Sequence, residues 1–251
     1  MFLKNVQLLK NGQRTLLAKM EIDKTQVGEL FDSISKRYDF LNHFLTLDID
    51  KIWRRKTVKQ LSCPKERVLD IATGTCDLAI EILKQNKAKS IVGIDLSKGM
   101  LEKGQAKIDK LHLNNQITLN QEDCHNLSFE DNSFDAAFVG FGVRNFRDLD
   151  KGLKEINRVL KPGGEFIVLE FSKSRNSIIS FFYNIYFNHI LPMIGRLISK
   201  NNYAYTYLPE SVNEFVCGDK FVEKLNEAGF IDAQYKEMTF GIVTIYKSIK
   251  K

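Results

Sequence analysis

The sequence is poor in the features that staple small secreted or metal-bound proteins. Its four cysteines, Cys63, Cys76, Cys124 and Cys217, show no paired spacing, and no histidine–cysteine cluster accompanies them. That argues for free thiols in a reducing cytoplasm, against a disulfide framework and against a structural zinc site. No segment is low-complexity, so disorder is expected only at the ends. The opening stretch MFLKNVQLLKNGQRTLLAK has no unbroken apolar core of about 7 residues before a small-residue cleavage site, which excludes a secretory signal. Residues 1–21 are therefore expected to be a poorly defined leader. A second absence is charge in residues 176–195, NSIISFFYNIYFNHILPMIG, which carry no Asp, Glu, Lys or Arg. Their length would just span a bilayer, but Asn184, Asn188, His189 and Pro192 make a span costly. A lid, or a groove facing lipid, fits this segment better.

What is present fits one large α/β domain. The chain has 251 residues, 43% hydrophobic and 27% charged, enough to bury a sizeable core. Its net charge of +6 is scattered along helix faces rather than pooled. This reads as a solvated surface, or one that suits anionic lipid, and against nucleic acid. A helical cap is expected over 25–61, with Val27, Leu30, Phe31 and Ile34 on one stripe and a break near 46–50. From there the pattern alternates: strand 67–72, helix 77–85, strand 90–95, helix 97–110, strands 116–121 and 134–140, helix 148–160 and strand 164–171. Such alternation implies a mostly parallel sheet covered on both faces. Residues 174–217 form a long insertion, assigned to a lid or substrate role. The chain closes on two strands around Gly241, expected as an antiparallel hairpin at the sheet edge. Residues 22–251 are thus expected to form a single domain.

The segment VLDIATGTCD, 68–77, reads as a strand, a tight turn and a helix start. Such a turn lets a ligand approach bare backbone and free N–H groups. Asp70 and Asp77 flank it, and Asp95 closes the next apolar run. An acid about 20 residues past the turn suits a ribose diol. Asp77, however, falls where a dinucleotide loop has its third glycine, close to the expected pyrophosphate. A phosphate-free, cationic nucleoside such as S-adenosylmethionine suits this acidity better.

Three further segments carry a family likeness: RVLKPGGEFIVLEFS (158–172), YDFLNHFLTLDIDKIW (38–53) and FGVRNF (141–146). With them the chain resembles the quinone-biosynthesis C-methyltransferases over about 22–249. In the second segment the family usually has Met at Leu41, Ser at Thr46 and His at Asp50; elsewhere it often has Gly at Cys76 and Ser at Gly140. The resemblance implies a class I methyltransferase fold that is Rossmann-like, uses S-adenosylmethionine, and ends in an antiparallel hairpin with a helical lid. Carried over by position, Thr75, Asp95, Asp123 and Cys124 are cofactor contacts, while Asp70 and Gly74 are expected at the methionine end.

The implied reaction methylates a ring carbon of a prenylated quinol in menaquinone or ubiquinone biosynthesis, with demethylmenaquinol the preferred reading. Such a carbon becomes nucleophilic when the ring hydroxyl is deprotonated. Arg144 is expected to stabilise the phenolate while water or hydroxide takes the proton, and Asn145 and Tyr38 to position the ring. A surface ion pair of Arg144 with Asp148 is the plainer alternative. His125 could act as a base but reads rather as a capping or solvent-exposed residue, His43 and His189 as core residues, and His112 as a loop residue. No metal is expected. The location implied is cytoplasmic, with transient attachment to an anionic membrane surface; a homodimer is left open. Two other functions compete: an S-adenosylmethionine-binding accessory subunit of a quinone-biosynthesis complex, and a nucleic-acid methyltransferase suggested only by the basic balance.

Overall fold

The computed structural model describes residues 24, 27–35, 46, 48–173 and 203–251, giving only the backbone at 203–206 and 208. The leader, Tyr38, His43 and the uncharged segment 176–195 lie outside the described residues. Seven strands form one sheet: β1 (Lys65–Ile71), β2 (Ala88–Asp95), β3 (Ile117–Gln121), β4 (Phe134–Gly140), β5 (Leu160–Phe171), β6 (Phe230–Met238) and β7 (Val243–Lys250). Their order is β3-β2-β1-β4-β5-β7-β6. The first five run parallel; β7 enters antiparallel to β5, and β6 pairs antiparallel with β7 at the edge. The expected hairpin is there, with its second strand on the inside.

The strands alternate between two cores, as doubly covered strands must. Leu69, Ile71, Val92, Ala137, Phe166 and Val168 face one core. Helices α5 (Leu149–Val159) and α7 (Asp219–Glu227) close that side with Leu153, Ile156, Phe221 and Leu225. Val68, Ile91, Ala136, Phe138 and Ile167 face the other core, covered by α2 (Ile49–Val58), α3 (Asp77–Lys84) and α4 (Lys98–Lys110). Trp53 of α2 reaches the β6–β7 turn, its Nε1 donating to Thr239 Oγ1 at 2.7 Å.

One boundary differs from expectation. Leu160 already pairs with Phe134, and the register resumes only at Glu165 opposite Ala136, so the strand expected from 164 begins at the helix end and Lys161–Gly164 loop out of it. Gly163, at φ +76°, makes the turn, and a Cβ on Gly164 would stand 2.7 Å from the Lys161 carbonyl. The two glycines let the helix end and the strand start overlap.

At the far end of β5 from the loops discussed below, Glu165 is buried and meets Lys247 at 2.6 Å, Lys65 at 2.9 Å and the Ser62 amide. Burial alone would raise its carboxyl, but the two ammonium groups and Ser62 outweigh it and hold it down at about 2. A folded-state pKa below the unfolded value stabilises the fold above the unfolded pKa, and that contribution disappears as pH falls through the folded one. Glu165→Gln is therefore expected to lower the urea midpoint at neutral pH, with the gap to wild type closing between about pH 4 and 2. A gap that stays constant through this window would contradict the assignment.

Candidate active site

The strand order turns back between β1 and β4, and in such sheets the crevice outside the carboxyl ends is where ligands bind. A crevice opens there, walled by the loops that follow β1, β2, β3 and β4. Gly74, Asp95, Asp123, Cys124 and Asn145 line it, and Lys24, Val27 and Phe31 roof it. The roof is α1 (Val27–Ile34), whose Val27 and Leu30 pack on Tyr207 of α6 (Tyr203–Glu214). Asp32 holds α1 down: its Oδ1 accepts from the Gly99 amide at 2.8 Å and from Ser97 Oγ, both at the start of α4.

The turn after β1 is built by its own residues. Gly74 sits at φ +56° with nothing within 4 Å of where a Cβ would be, so its glycine serves the backbone and leaves open space for a ligand. Asp95, at the end of β2, accepts the Gly74 amide on Oδ2 at 2.8 Å and the Ser97 amide on Oδ1 at 2.9 Å. Burial raises its carboxyl, opposed by those two amides. Each oxygen keeps a second lone pair for a ribose hydroxyl.

Asp70 and Thr75 take up different positions from those expected. Asp70 is fully buried beneath the loop, where Oδ2 accepts from Thr73 Oγ1 at 2.6 Å. Its Oδ1 has no well-formed hydrogen bond among the described residues. Burial pushes this carboxyl up to about 7 against the pull of Thr73. It shapes the turn rather than lining the crevice. Thr75 is likewise buried and accepts from Lys107 Nζ at 2.9 Å. The same ammonium binds Asp77 at 2.6 Å, and Arg54 approaches Asp77 at 3.8 Å. The acidity legible at Asp77 is thus neutralised within the protein, and Asp95 and Asp123 bring carboxylates to the crevice wall.

After β3, Asp123 Oδ1 accepts the His125 amide at 2.9 Å and pairs with His125 Nδ1, while Arg147 lies 3.7 Å from Oδ2. Burial would raise Asp123, but His125 and Arg147 together hold it below the ordinary carboxylate range. His125 is buried rather than solvent-exposed, and its Nε2 accepts the Asp148 amide at 3.1 Å, which places the proton on Nδ1. Asp123, Cys124 and His125 bring three ligand-type atoms within 4.8 Å, a grouping at odds with the expectation of no histidine–cysteine cluster. Both imidazole nitrogens are already engaged, and burial beside Asp123 pushes the Cys124 thiol up. The donor set suits an adenine pocket better than a metal.

The FGVRNF turn divides its roles. Asn145 lines the crevice, its Oδ1 accepting from Tyr207 Oη at 2.8 Å. Arg144 lies behind the wall, only 6% exposed, with Nη1 2.7 Å from Oε1 of the fully buried Glu170. It also donates to the Phe141 carbonyl and, through Nε, to Ser211 Oγ at 3.2 Å. The surface pair with Asp148 does not form; Asp148 caps α5 by accepting the Lys151 amide. Sequence reasoning passed over Lys24, Asp32, Glu170 and Tyr207. Only Glu170 lay within a quoted motif.

Cys76 occupies a left-handed position, φ 68°, at the start of α3. Its sulfur fills the space beside Gly104, where an added Cβ would lie 2.4 Å away. Gly104→Ala is expected to cost about 1–3 kcal/mol by overpacking, measured as a drop in urea midpoint. Adding Cys76→Gly should recover most of the loss, since it clears the space and relaxes the backbone. Equal destabilisation with and without Cys76→Gly would contradict this packing.

The sequence profile of the ubiE/COQ5 methyltransferase family matches residues 19–250. The chain belongs to this family. Membership makes it a methyltransferase with S-adenosylmethionine as cofactor, as its sequence led us to expect. A demethylmenaquinone methyltransferase of Bacteroides fragilis is 42% identical over 226 residues, covering 90% of this chain and 92% of the relative. A ubiquinone/menaquinone biosynthesis C-methyltransferase UbiE of Geotalea daltonii is 43% identical over 227 residues, covering 90% and 96%. Among solved structures, an S-adenosylmethionine-dependent methyltransferase of Thermotoga maritima aligns at TM-score 0.63 and 19% identity, covering 89% of this chain and 99% of that one. This likeness shows the fold alone, and it is the class I fold expected. The crevice fits the cofactor: open space beside Gly74, a two-oxygen acceptor at Asp95 and a partly buried pocket at Asp123–Cys124.

Proposed function

We propose that this chain transfers a methyl group to a ring carbon of a prenylated quinol, with demethylmenaquinol as its main substrate. The observation that carries the reading is the 42% identity, over nine-tenths of the chain, to the Bacteroides fragilis demethylmenaquinone methyltransferase. A crevice with carboxylates placed for a phosphate-free nucleoside supports it. Bound S-adenosylmethionine supplies an electrophilic methyl on a sulfonium. The protein's own task is orientation, because an in-line displacement that destroys charge gains most from alignment. Asp95 holds the ribose, Asp123 and Cys124 border the adenine, and Gly74 leaves room for the methionine end.

On the acceptor side, Asn145, oriented by Tyr207, presents its amide to the ring, and Tyr38, outside the described residues, keeps the ring-positioning role that the family resemblance implies. Arg144 acts differently from the phenolate partner first expected. Glu170 already neutralises its charge, so it serves as a positioning residue: its guanidinium joins Phe141, Glu170 and Ser211 and so fixes the turn that carries Asn145. The uncharged segment 176–195 is assigned to the prenyl tail, and the net charge of +6 to transient contact with an anionic membrane surface. Among the described residues no helix is long and apolar enough to cross a membrane.

The test incubates purified protein with methyl-labelled S-adenosylmethionine and, separately, reduced demethylmenaquinol and a reduced polyprenyl methoxybenzoquinol. Label is expected in both extractable products, faster with demethylmenaquinol. Label in neither would favour the accessory-subunit reading.

A further inference from the structure

Carbon methylation of a quinol needs a group that takes the hydroxyl proton, and the groups around the crevice narrow the choice. His125 has both ring nitrogens engaged, by Asp123 and by the Asp148 amide. Asp95 is spanned by two backbone amides, and the Cys124 thiol is kept protonated by burial. Arg144 and Arg147 cannot give up a proton at neutral pH. Lys24 differs from all of these. It lines the crevice beside Asn145 and Phe146, and its Nζ donates to the Phe146 carbonyl at 3.2 Å. Among the described residues no carboxylate lies within ion-pair distance of it, whereas Arg144, Arg147 and Lys107 each have one.

The groups facing this ammonium set its balance. Burial lowers its pKa, Arg144 behind the wall adds to that, and Glu214 of α6 opposes it. Across the crevice, Asp95, Asp123 and Glu122 are tied to their own donors, Glu122 accepting from the Ser128 amide and hydroxyl. A lysine so placed holds a larger share of neutral amine near pH 7 than an exposed one, whose pKa is about 10.4.

We propose that Lys24 is the proton acceptor for the quinol hydroxyl and the cation that then holds the quinolate oxygen. This rests on the proposed C-methylation. The neutral amine takes the hydroxyl proton, leaving an ammonium paired with the quinolate. The ring carbon ortho to that oxygen forms a bond to the methyl as the methyl–sulfur bond breaks, and the sulfur keeps the electron pair. The methylated carbon then loses its hydrogen to water, which restores the aromatic ring as a quinolate. The Lys24 ammonium returns its proton to that oxygen, so one proton is released per turnover.

Wild type, Lys24→Gln and Lys24→Arg are assayed with labelled S-adenosylmethionine and reduced demethylmenaquinol bearing a short prenyl tail, over about pH 6 to 10. S-adenosylhomocysteine affinity is measured alongside by calorimetry. Wild-type kcat should rise with pH along a limb set by one amine. Lys24→Gln should lower kcat about 100-fold or more, lose that limb and leave S-adenosylhomocysteine affinity within about twofold. Lys24→Arg keeps the charge but cannot accept a proton, so it should hold the quinol KM while losing kcat to a similar extent. Lys24→Gln with wild-type kcat and an intact limb would overturn the proposal. So would a loss confined to S-adenosylhomocysteine affinity with kcat preserved at saturating cofactor, which would assign Lys24 to the methionine carboxylate. A wild type that methylates no quinol would overturn the C-methylation reading and this one together; an active wild type with indifferent variants overturns this one alone.

Discussion

Asp95→Ala is expected to weaken S-adenosylmethionine binding by roughly 10²- to 10⁴-fold, the largest effect of any single substitution in the crevice. Hydrogen bonds to a charged group are worth about 1.5–3 kcal/mol each, and two ribose hydroxyls are at stake. The carboxylate also organises the site before any ligand arrives, because Oδ2 holds the Gly74 amide at 2.8 Å and Oδ1 holds the Ser97 amide at 2.9 Å. Removing it frees the glycine turn and the start of α4 together. Asp95→Asn should fall in between: one oxygen remains, but its NH₂ must face an amide donor. Calorimetry with S-adenosylhomocysteine checks the series. Binding should also weaken as pH falls, and should begin to do so above the ordinary carboxylate range, because burial raises this carboxyl and only its ionised form accepts from both hydroxyls. Near-wild-type affinity in Asp95→Ala would remove the ribose assignment.

The second large effect is on stability. Arg144 and Glu170 form an ion pair with almost no access to water, 6% and 0% exposed. Breaking such a pair from one side leaves a buried charge alone, which costs about 3–5 kcal/mol. Glu170→Ala and Arg144→Ala should each lower the urea midpoint by a corresponding amount. Arg144→Met combined with Glu170→Leu should recover much of the stability, since no lone charge remains. The double variant should still turn over poorly, because the guanidinium also holds the Phe141 carbonyl and Ser211 and lies 5.6 Å from the Phe171 ring centre. Stability restored without activity is the signature of a positioning residue. Activity restored together with stability would reduce Arg144 to a structural role.

How much of this could be read beforehand follows from the range of each interaction. Strand ends were legible because apolar runs stop where the sheet meets solvent: Asp70, Asp95 and Gly140 lie near strand ends, and the expected helices start within a residue or two of those observed. Gly74 and Asp95 were legible as a pair because the spacing of a strand–turn–helix unit fixes their separation. The partner of Arg144 was not. Asp148 is near in sequence, but the parallel register of β4 on β5, with Gly140 opposite Leu169, carries the turn after β4 to Glu170. Thr75 and Asp77 mislead for the same reason: Lys107, about 30 residues on, reaches them across the α3–α4 layer and takes up their acceptors. Lys24 carries no local pattern at all. Only the docking of α1 over the crevice, through Asp32 on the start of α4, brings the roof it belongs to into place.

On the proposed reading, the crevice at the ends of β1 and β2 holds S-adenosylmethionine, and its methyl passes to a quinol ring carbon. The most direct measurement is the carbon NMR spectrum of the product formed from ¹³C-methyl S-adenosylmethionine and reduced demethylmenaquinol. The predicted result is a single enriched methyl bonded to the ring carbon, produced by wild type and lost in Asp95→Ala. Enrichment in a methoxyl group, or equal ring methylation by Asp95→Ala, would contradict it.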